Sequence, residues 1–201
     1  MAKKKDNNNA VRKLITIGIF NALIIAIFFL LGFTIGLFPP ILVVLPIILA
    51  LVGGIIFMLM IAKADMTGIF VISGTLLGLC FLTMAPGGVM GICTFFGGVL
   101  GEVIFSIMGR KKFLAAATGF ATYMLGFALG EYIPFVFMKE AYIAQESAKG
   151  SQSIEILKRC LNIVNVQTMI ILSIITIIAA YVGSLWGKKL LHKHFEKAGI
   201  V

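Results

Sequence analysis

Two carboxylates lie inside long apolar stretches of the sequence, Glu102 and Glu131. A charged group costs free energy in an apolar surrounding unless it is paired or hydrated, so each is a candidate functional residue. Tyr123 and Phe127 precede Glu131 by eight and four residues, which places all three on one face of a helix. Glu131 either binds a polar solute or is an interfacial carboxylate. Glu102, two turns before Arg110, is either functional or structurally paired.

A second polar group stands at the start of the last apolar segment. Asn162, Asn165 and Thr168 are spaced by three, so a continuous helix would present them on one face. Their amides and hydroxyls both donate and accept hydrogen bonds, which suits a polar heteroaromatic ligand. A helix start that is capped by polar side chains is the alternative. We predict a ligand site that combines this group with residues of the preceding segments: Tyr123, Glu131, Lys139, Tyr142, Asn162, Asn165 and Thr168.

The sequence lacks the residues that several kinds of chemistry require. The chain has no G-x-x-x-x-G-K-[ST] loop, so we predict that it does not hydrolyse ATP itself. Its two histidines, His192 and His194, both lie in the basic C-terminal segment, away from any metal-binding or Ser–His pattern. The sequence therefore predicts a protein that is not an enzyme and that holds no cofactor or metal.

The composition indicates what surrounds these residues. Of the 201 residues, 60% are hydrophobic and 12% are charged, whereas about 25% are charged in a typical soluble protein. A soluble domain of this size has too little interior for so much apolar surface, so we predict that lipid surrounds it. The net charge is +9, but the basic residues cluster between apolar runs. Membrane topology explains that pattern better than a nucleic-acid partner does.

Six transmembrane helices are predicted, because one span needs about 20 apolar residues. Pro39 and Pro40 divide the first run, which carries no charge from Leu14 to Ala62, into two helices. The fold class is thus a single all-α integral membrane domain with an outer loop or lid at 137–160 and a basic tail at 187–201. The predicted spans are 14–38, 41–62, 68–84, 89–108, 113–136 and 163–186.

The orientation follows from the basic residues beside the short loops. With both termini placed in the cytoplasm, 13 of the 17 Lys and Arg residues lie on the cytoplasmic side. The other four lie in or beside the long polar segment, where the rule counts least. We therefore predict cytoplasmic N- and C-termini, with the tail against the anionic inner surface of the cell membrane.

Small residues recur at four-residue spacing in four of the predicted spans, and this spacing lets helix backbones approach closely. In the first span, Gly18, Ala22 and Ala26 form a stripe that could face a second subunit. In the third, fourth and fifth spans the pairs predict packing within the chain: Gly74 and Gly78, Gly97 and Gly101, Gly126 and Gly130.

Four stretches carry a family resemblance: Thr16–Leu23, Pro46–Lys63 with its two glycines, Met138–Tyr142 and the ending Gly187–Ile200. They resemble the S components of energy-coupling factor (ECF) transporters, most closely the Trep_Strep or MptD-like group. The similarity covers most of the chain, and the ending is its most specific part.

The resemblance implies a six-helix bacterial subunit that binds a vitamin-like or nucleobase-like solute from outside. Such a subunit associates with a transmembrane coupling subunit and two cytoplasmic ATPases. In that family an A-x-x-x-A stripe on the first helix contacts the coupling subunit, and Ala22 and Ala26 match it. A stand-alone secondary transporter of a small polar solute is the main alternative, although no repeat between the two halves supports it.

Overall fold

The computed structural model describes residues 2–34, 43–148 and 154–192, and all the regular structure in these ranges is helical. A 3₁₀ turn, Pro86–Gly88, precedes the fourth of the helices. The described ranges contain eight α-helices: α1 Ala2–Thr34, α2 Leu45–Ala64, α3 Ile69–Phe81, α4 Val89–Met108, α5 Phe113–Phe137, α6 Lys139–Ala148, α7 Ile154–Ile163 and α8 Val166–Leu190.

Five of these helices are long and apolar enough to cross a membrane: α1, α2, α4 with its 3₁₀ turn, α5 and α8. The sixth apolar helix, α3, has 13 residues, or about 20 Å at about 1.5 Å per residue. It is shorter than the predicted span 68–84, because the chain leaves the helix at Leu82. Pro86 favours an extended conformation at the residue before it, and Ala85 accordingly has φ −126° and ψ 154°.

The remaining boundaries differ from prediction mainly at the ends of the chain. Helix α1 begins at Ala2 rather than Leu14, and α8 runs from Val166 to Leu190 rather than over 163–186, so the first residues of the predicted tail are helical. The predicted loop at 137–160 contains α6 and α7. The predicted break at Pro39–Pro40 and the tail beyond residue 192 lie outside the described residues.

Glycines bring α3, α4 and α5 into close backbone contact, which confirms the predicted packing of the small residues. A methyl group at Gly126 would lie 2.6 Å from the Cα atom of Gly97. Later residues of one helix contact earlier residues of the next, so α3 and α4 are antiparallel, as are α4 and α5. The paired positions are Gly74 with Gly98, Gly78 with Gly91, Gly97 with Gly126, and Gly101 with Gly119.

Other contacts place α1 parallel to α3 and α2 parallel to α8. Lys13 Nζ donates to the Asp65 carbonyl at 2.7 Å, and Asn21 Nδ2 donates to Ser73 Oγ at 3.0 Å. Gly54 lies against Gly183, and Ile55 against Gly187. Helix α8 is antiparallel to α5, as contacts of Thr118 with Tyr181 and of Tyr132 with Thr176 show. Helices α1, α3 and α5 thus run one way, and α2, α4 and α8 run the other.

The core has two parts. The larger is rich in phenylalanine and contains residues of all six apolar helices, α1 to α5 and α8. The smaller lies at the C-terminal end of α5, where Tyr132 and Phe135 pack against Leu157 and Leu161 of α7. The smaller cluster therefore attaches the predicted lid to the bundle.

Candidate functional site

Glu131 is a buried carboxylate near the C-terminal end of α5. Its side chain is 7% exposed, and Oε1 has no hydrogen-bond partner among the described residues. Pro134 follows three residues later inside the same helix. Because proline has no N–H, the Gly130 carbonyl beside Glu131 lacks its usual helical donor. This end of α5 therefore presents acceptor groups in an apolar setting.

Helices α6 and α7, which we call the outer helical pair, face this carboxylate. Burial raises the pKa of the Tyr142 phenol in α6, and the charge of Glu131 raises that pKa further. Burial likewise raises the pKa of the Cys160 thiol in α7 to about 11, with Glu131 adding to the shift. Tyr142 packs against Phe135 at the same end of α5 as Glu131, whereas Lys139 is exposed. A role for Tyr142 or Lys139 toward a ligand stays a prediction.

The outer helical pair is fastened at several points. The Tyr142 ring lies 5.5 Å from that of Phe135. Gln145 Nε2 donates to the Thr83 carbonyl at 3.0 Å, in the turn between α3 and α4. Helix α7 buries Leu157, Cys160 and Leu161 against the end of α5. These contacts hold both helices against the C-terminal end of α5.

The three polar residues Asn162, Asn165 and Thr168 do not share one helix face. Asn162 is exposed in α7, which ends at Ile163, and α8 begins at Val166. Asn165 is the N-cap of α8, and its Oδ1 accepts from Thr168 N at 2.9 Å and from Thr168 Oγ1 at 3.1 Å. This is the capping alternative, because a cap side chain satisfies a free N–H of the first turn. A role for these residues toward a ligand stays a prediction.

Tyr123 lies apart from the outer helical pair. It shares the buried face of α5 with Phe127 and Glu131, as their spacing predicts, at 1%, 3% and 7% exposure. Eight residues separate Tyr123 from Glu131, or about 12 Å along the helix axis. Tyr123 therefore belongs to the aromatic core rather than to the region beneath α6 and α7.

Glu102 has a structural role at the other end of the bundle. Its Oε1 accepts from Gly68 N at 2.8 Å, its Oε2 accepts from Phe70 N at 3.0 Å, and it forms an ion pair with Arg110. Arg110 also donates to the Met66 carbonyl at 2.6 Å. The carboxylate thus satisfies free N–H groups at the positive N-terminus of α3. Of the two alternatives for Glu102, the structure therefore supports the structurally paired carboxylate.

The stripe of small residues on α1 faces away from the bundle. Ala22 and Ala26 are exposed, and a methyl group at Gly18 would meet nothing within 4 Å. The opposite face of α1 is buried through Ile17, Ile24, Phe28 and the polar residue Asn21. A neighbouring helix therefore has open access to the stripe.

Sequence reasoning missed Asn21, which joins α1 to α3. Its side chain is 1% exposed and donates to Ser73 Oγ, while Oδ1 has no partner among the described residues. An amide within an uncharged apolar run was the available signal. No group of three His, Cys, Asp or Glu side chains within 2–34, 43–148 and 154–192 is arranged to hold a metal ion.

Comparison with known proteins agrees with a membrane location. The family model described as a hypothetical bacterial integral membrane protein (Trep_Strep) matches residues 11–197. No curated protein and no solved structure matches the chain. The family description and the five long apolar helices together identify an integral membrane protein.

Proposed function

Because the chain belongs to the Trep_Strep family of bacterial integral membrane proteins, we propose that it is the S component of an ECF-type importer. In this role it captures a small vitamin-like or nucleobase-like solute from outside the cell. A transmembrane coupling subunit and two cytoplasmic ATPases then drive uptake. The resemblance of four sequence stretches to S components supports the choice within this broad family.

The observation that carries solute binding is the buried Glu131 carboxyl group, whose Oε1 has no hydrogen-bond partner among the described residues. A buried polar atom without a partner costs about 1–3 kcal/mol, and more if the group is ionised, so a bound solute that pairs with it would remove this cost. The ionised carboxylate only accepts hydrogen bonds, so a solute with an N–H, O–H or cationic group would favour that form. Tyr142 lies at the same end of α5, against Phe135.

The proposed topology has six crossings and cytoplasmic termini. The alternating directions of the six apolar helices support it, as does the count of basic residues on each side. The outer helical pair then covers Glu131 from outside, and the Glu102–Arg110 pair lies at the cytoplasmic side. Helix α3 crosses together with its flanking turns, next to glycines of α4.

The proposed contact with the coupling subunit is the outward stripe of Gly18, Ala22 and Ala26. Lipid gives helices no hydrophobic reason to associate, so close backbone approach at small residues is the main source of attraction. The lack of a phosphate-binding loop in the sequence agrees with ATP hydrolysis by partner subunits.

Removing the charge of Glu131 tests the solute site. We expect the purified wild-type chain to carry a small molecule that native mass spectrometry detects, and Glu131→Gln to lose it. One charge-assisted hydrogen bond is worth about 1.5–3 kcal/mol, which corresponds to about a ten- to hundredfold loss of affinity.

Glu102→Gln is the matched control, because it makes the same chemical change in the other intramembrane carboxylate. This variant should keep the bound molecule but unfold at a lower temperature, since it loses the ion pair to Arg110. Loss of the molecule from Glu102→Gln with retention in Glu131→Gln would place the solute elsewhere.

Reconstitution separates the proposal from a stand-alone secondary transporter. In proteoliposomes the chain alone should bind its solute without accumulating it, because its sequence has no phosphate-binding loop. Accumulation should require the coupling subunit, both ATPases and ATP. Accumulation by the chain alone along an ion gradient would support the secondary transporter instead.

A further inference from the structure

A small, partly open cavity lies among the aromatic residues of the core, on the side of α5 that carries Tyr123. Its volume is about 20 Å³, which is room for one water molecule. Four helices contribute to its wall, and Gly53 of α2 exposes backbone to it. Six of the lining residues are aromatic: Phe28, Phe57, Phe81, Phe120, Tyr123 and Phe127.

The Tyr123 hydroxyl is the unexplained group in this core. Tyr123 is 1% exposed, and its OH has no hydrogen-bond partner among the described residues. The hydroxyls of two other tyrosines are bonded, Tyr132 to the Val43 carbonyl at 2.9 Å and Tyr181 to Thr118 at 3.0 Å. A buried hydroxyl without a partner costs about 1–3 kcal/mol, so a phenylalanine would be the more stable residue at this position.

A trapped water does not resolve this cost. Buried waters make two to four hydrogen bonds as a rule, but Tyr123 is the only lining residue with a hydroxyl, amide or charged side chain. The wall otherwise offers aromatic rings and aliphatic groups, which suit the faces and edges of another ring.

We propose that this cavity is the contracted form of a binding site for a planar, largely apolar ring with one hydrogen-bond acceptor, to which Tyr123 donates. The site goes beyond the proposed function, because Tyr123, which supplies its hydrogen-bonding group, lies about 12 Å from Glu131 along the axis of α5. It also does not require that Glu131 bind anything.

Helix α1 is the part of the cavity wall that moves outward when a ring binds. A ring exceeds the contracted cavity, so one wall has to move outward. Helix α1 supplies Ile24 and Phe28 to the lining and is the least buried of the five long apolar helices. Its opposite face carries the exposed Ala22 and Ala26.

Two matched probes test the site on the full chain in lipid nanodiscs: quinoline, which has one acceptor nitrogen, and naphthalene, which has the same shape without it. Thermal unfolding is measured against probe concentration, with empty nanodiscs as the blank for partition into lipid. We expect saturable stabilisation by both probes and about three- to tenfold tighter binding of quinoline, the value of one neutral hydrogen bond.

Tyr123→Phe should act in opposite directions on stability and binding. Without probe its unfolding temperature rises, because an unpaired buried hydroxyl is gone. Its affinity for quinoline falls at least about three- to tenfold, to that for naphthalene or below it, because the ring nitrogen is then buried without a donor. Tyr181→Phe is the control. This variant removes a hydrogen bond that the wild type forms with Thr118. Its stability should therefore fall, while its preference for quinoline over naphthalene stays.

Gly53→Ala tests whether the probes occupy the cavity. The added methyl would lie 3.4 Å from the Phe120 ring, so it narrows the cavity without a clash. Both probes should then bind about tenfold more weakly, with no loss of stability in their absence. The proposal is overturned if wild type shows no saturable stabilisation by quinoline. It is also overturned if Tyr123→Phe raises stability but leaves the preference for quinoline unchanged.

Discussion

Ala22→Trp or Ala26→Trp should abolish co-purification of this protein with the coupling subunit that we propose and leave its own fold intact. Both alanines are exposed on α1, so an indole there would point away from the bundle that the described residues form. The same indole would hold a partner helix away from the α1 backbone, and the close contact that replaces hydrophobic attraction in lipid would be lost. The measurements are affinity co-purification, the unfolding temperature and native mass spectrometry for bound solute.

Leu23→Trp is the matched control. Leu23 is 47% exposed and follows Ala22 by one residue, or about 100° around the helix. The Leu23→Trp variant carries the same added side chain on the same helix, but beside the stripe rather than on it. The stripe stays accessible to a partner helix, so assembly should persist. Normal assembly of both alanine variants would show that the coupling subunit binds another surface.

Gly54→Ala should destabilise the protein by about 2 kcal/mol or more, a magnitude typical of overpacking a tight contact. A methyl at Gly54 would lie 2.6 Å from the backbone nitrogen of Ser184 and 2.8 Å from the Cα atom of Gly183. Those atoms belong to the α8 backbone and have no rotamer to escape into. Helices α2 and α8 would have to separate, and a thermal unfolding scan of the purified protein measures the loss.

Gly53→Ala and Gly18→Ala provide internal comparisons. Gly53 is the neighbouring residue of the same helix, yet its added methyl meets only the Phe120 ring, at 3.4 Å. Gly18 faces open space. Both variants should unfold at or above the wild-type temperature. An equal loss of stability in all three would mean that helix propensity or membrane insertion, rather than the α2–α8 contact, determines the result.

Composition and local spacing alone were enough to predict the apolar helices and the glycine contacts among α3, α4 and α5. Both depend on information within one segment: a run of apolar residues sets a helix in lipid, and a four-residue spacing sets a helix face. The outward stripe at Gly18, Ala22 and Ala26 could be singled out for the same reason, since it lacked an evident partner within the chain.

The tertiary structure decided the roles of the individual polar groups, because their partners are distant in sequence. Glu102 binds N–H groups more than thirty residues away, and no local pattern contains that contact. Asn165 is a cap only because the chain breaks between α7 and α8. Whether a buried carboxylate or hydroxyl is satisfied depends on every helix that surrounds it. Only the packed bundle could therefore distinguish Glu131 Oε1 and the Tyr123 hydroxyl, which lack partners among the described residues, from Glu102 and Tyr132, which have them.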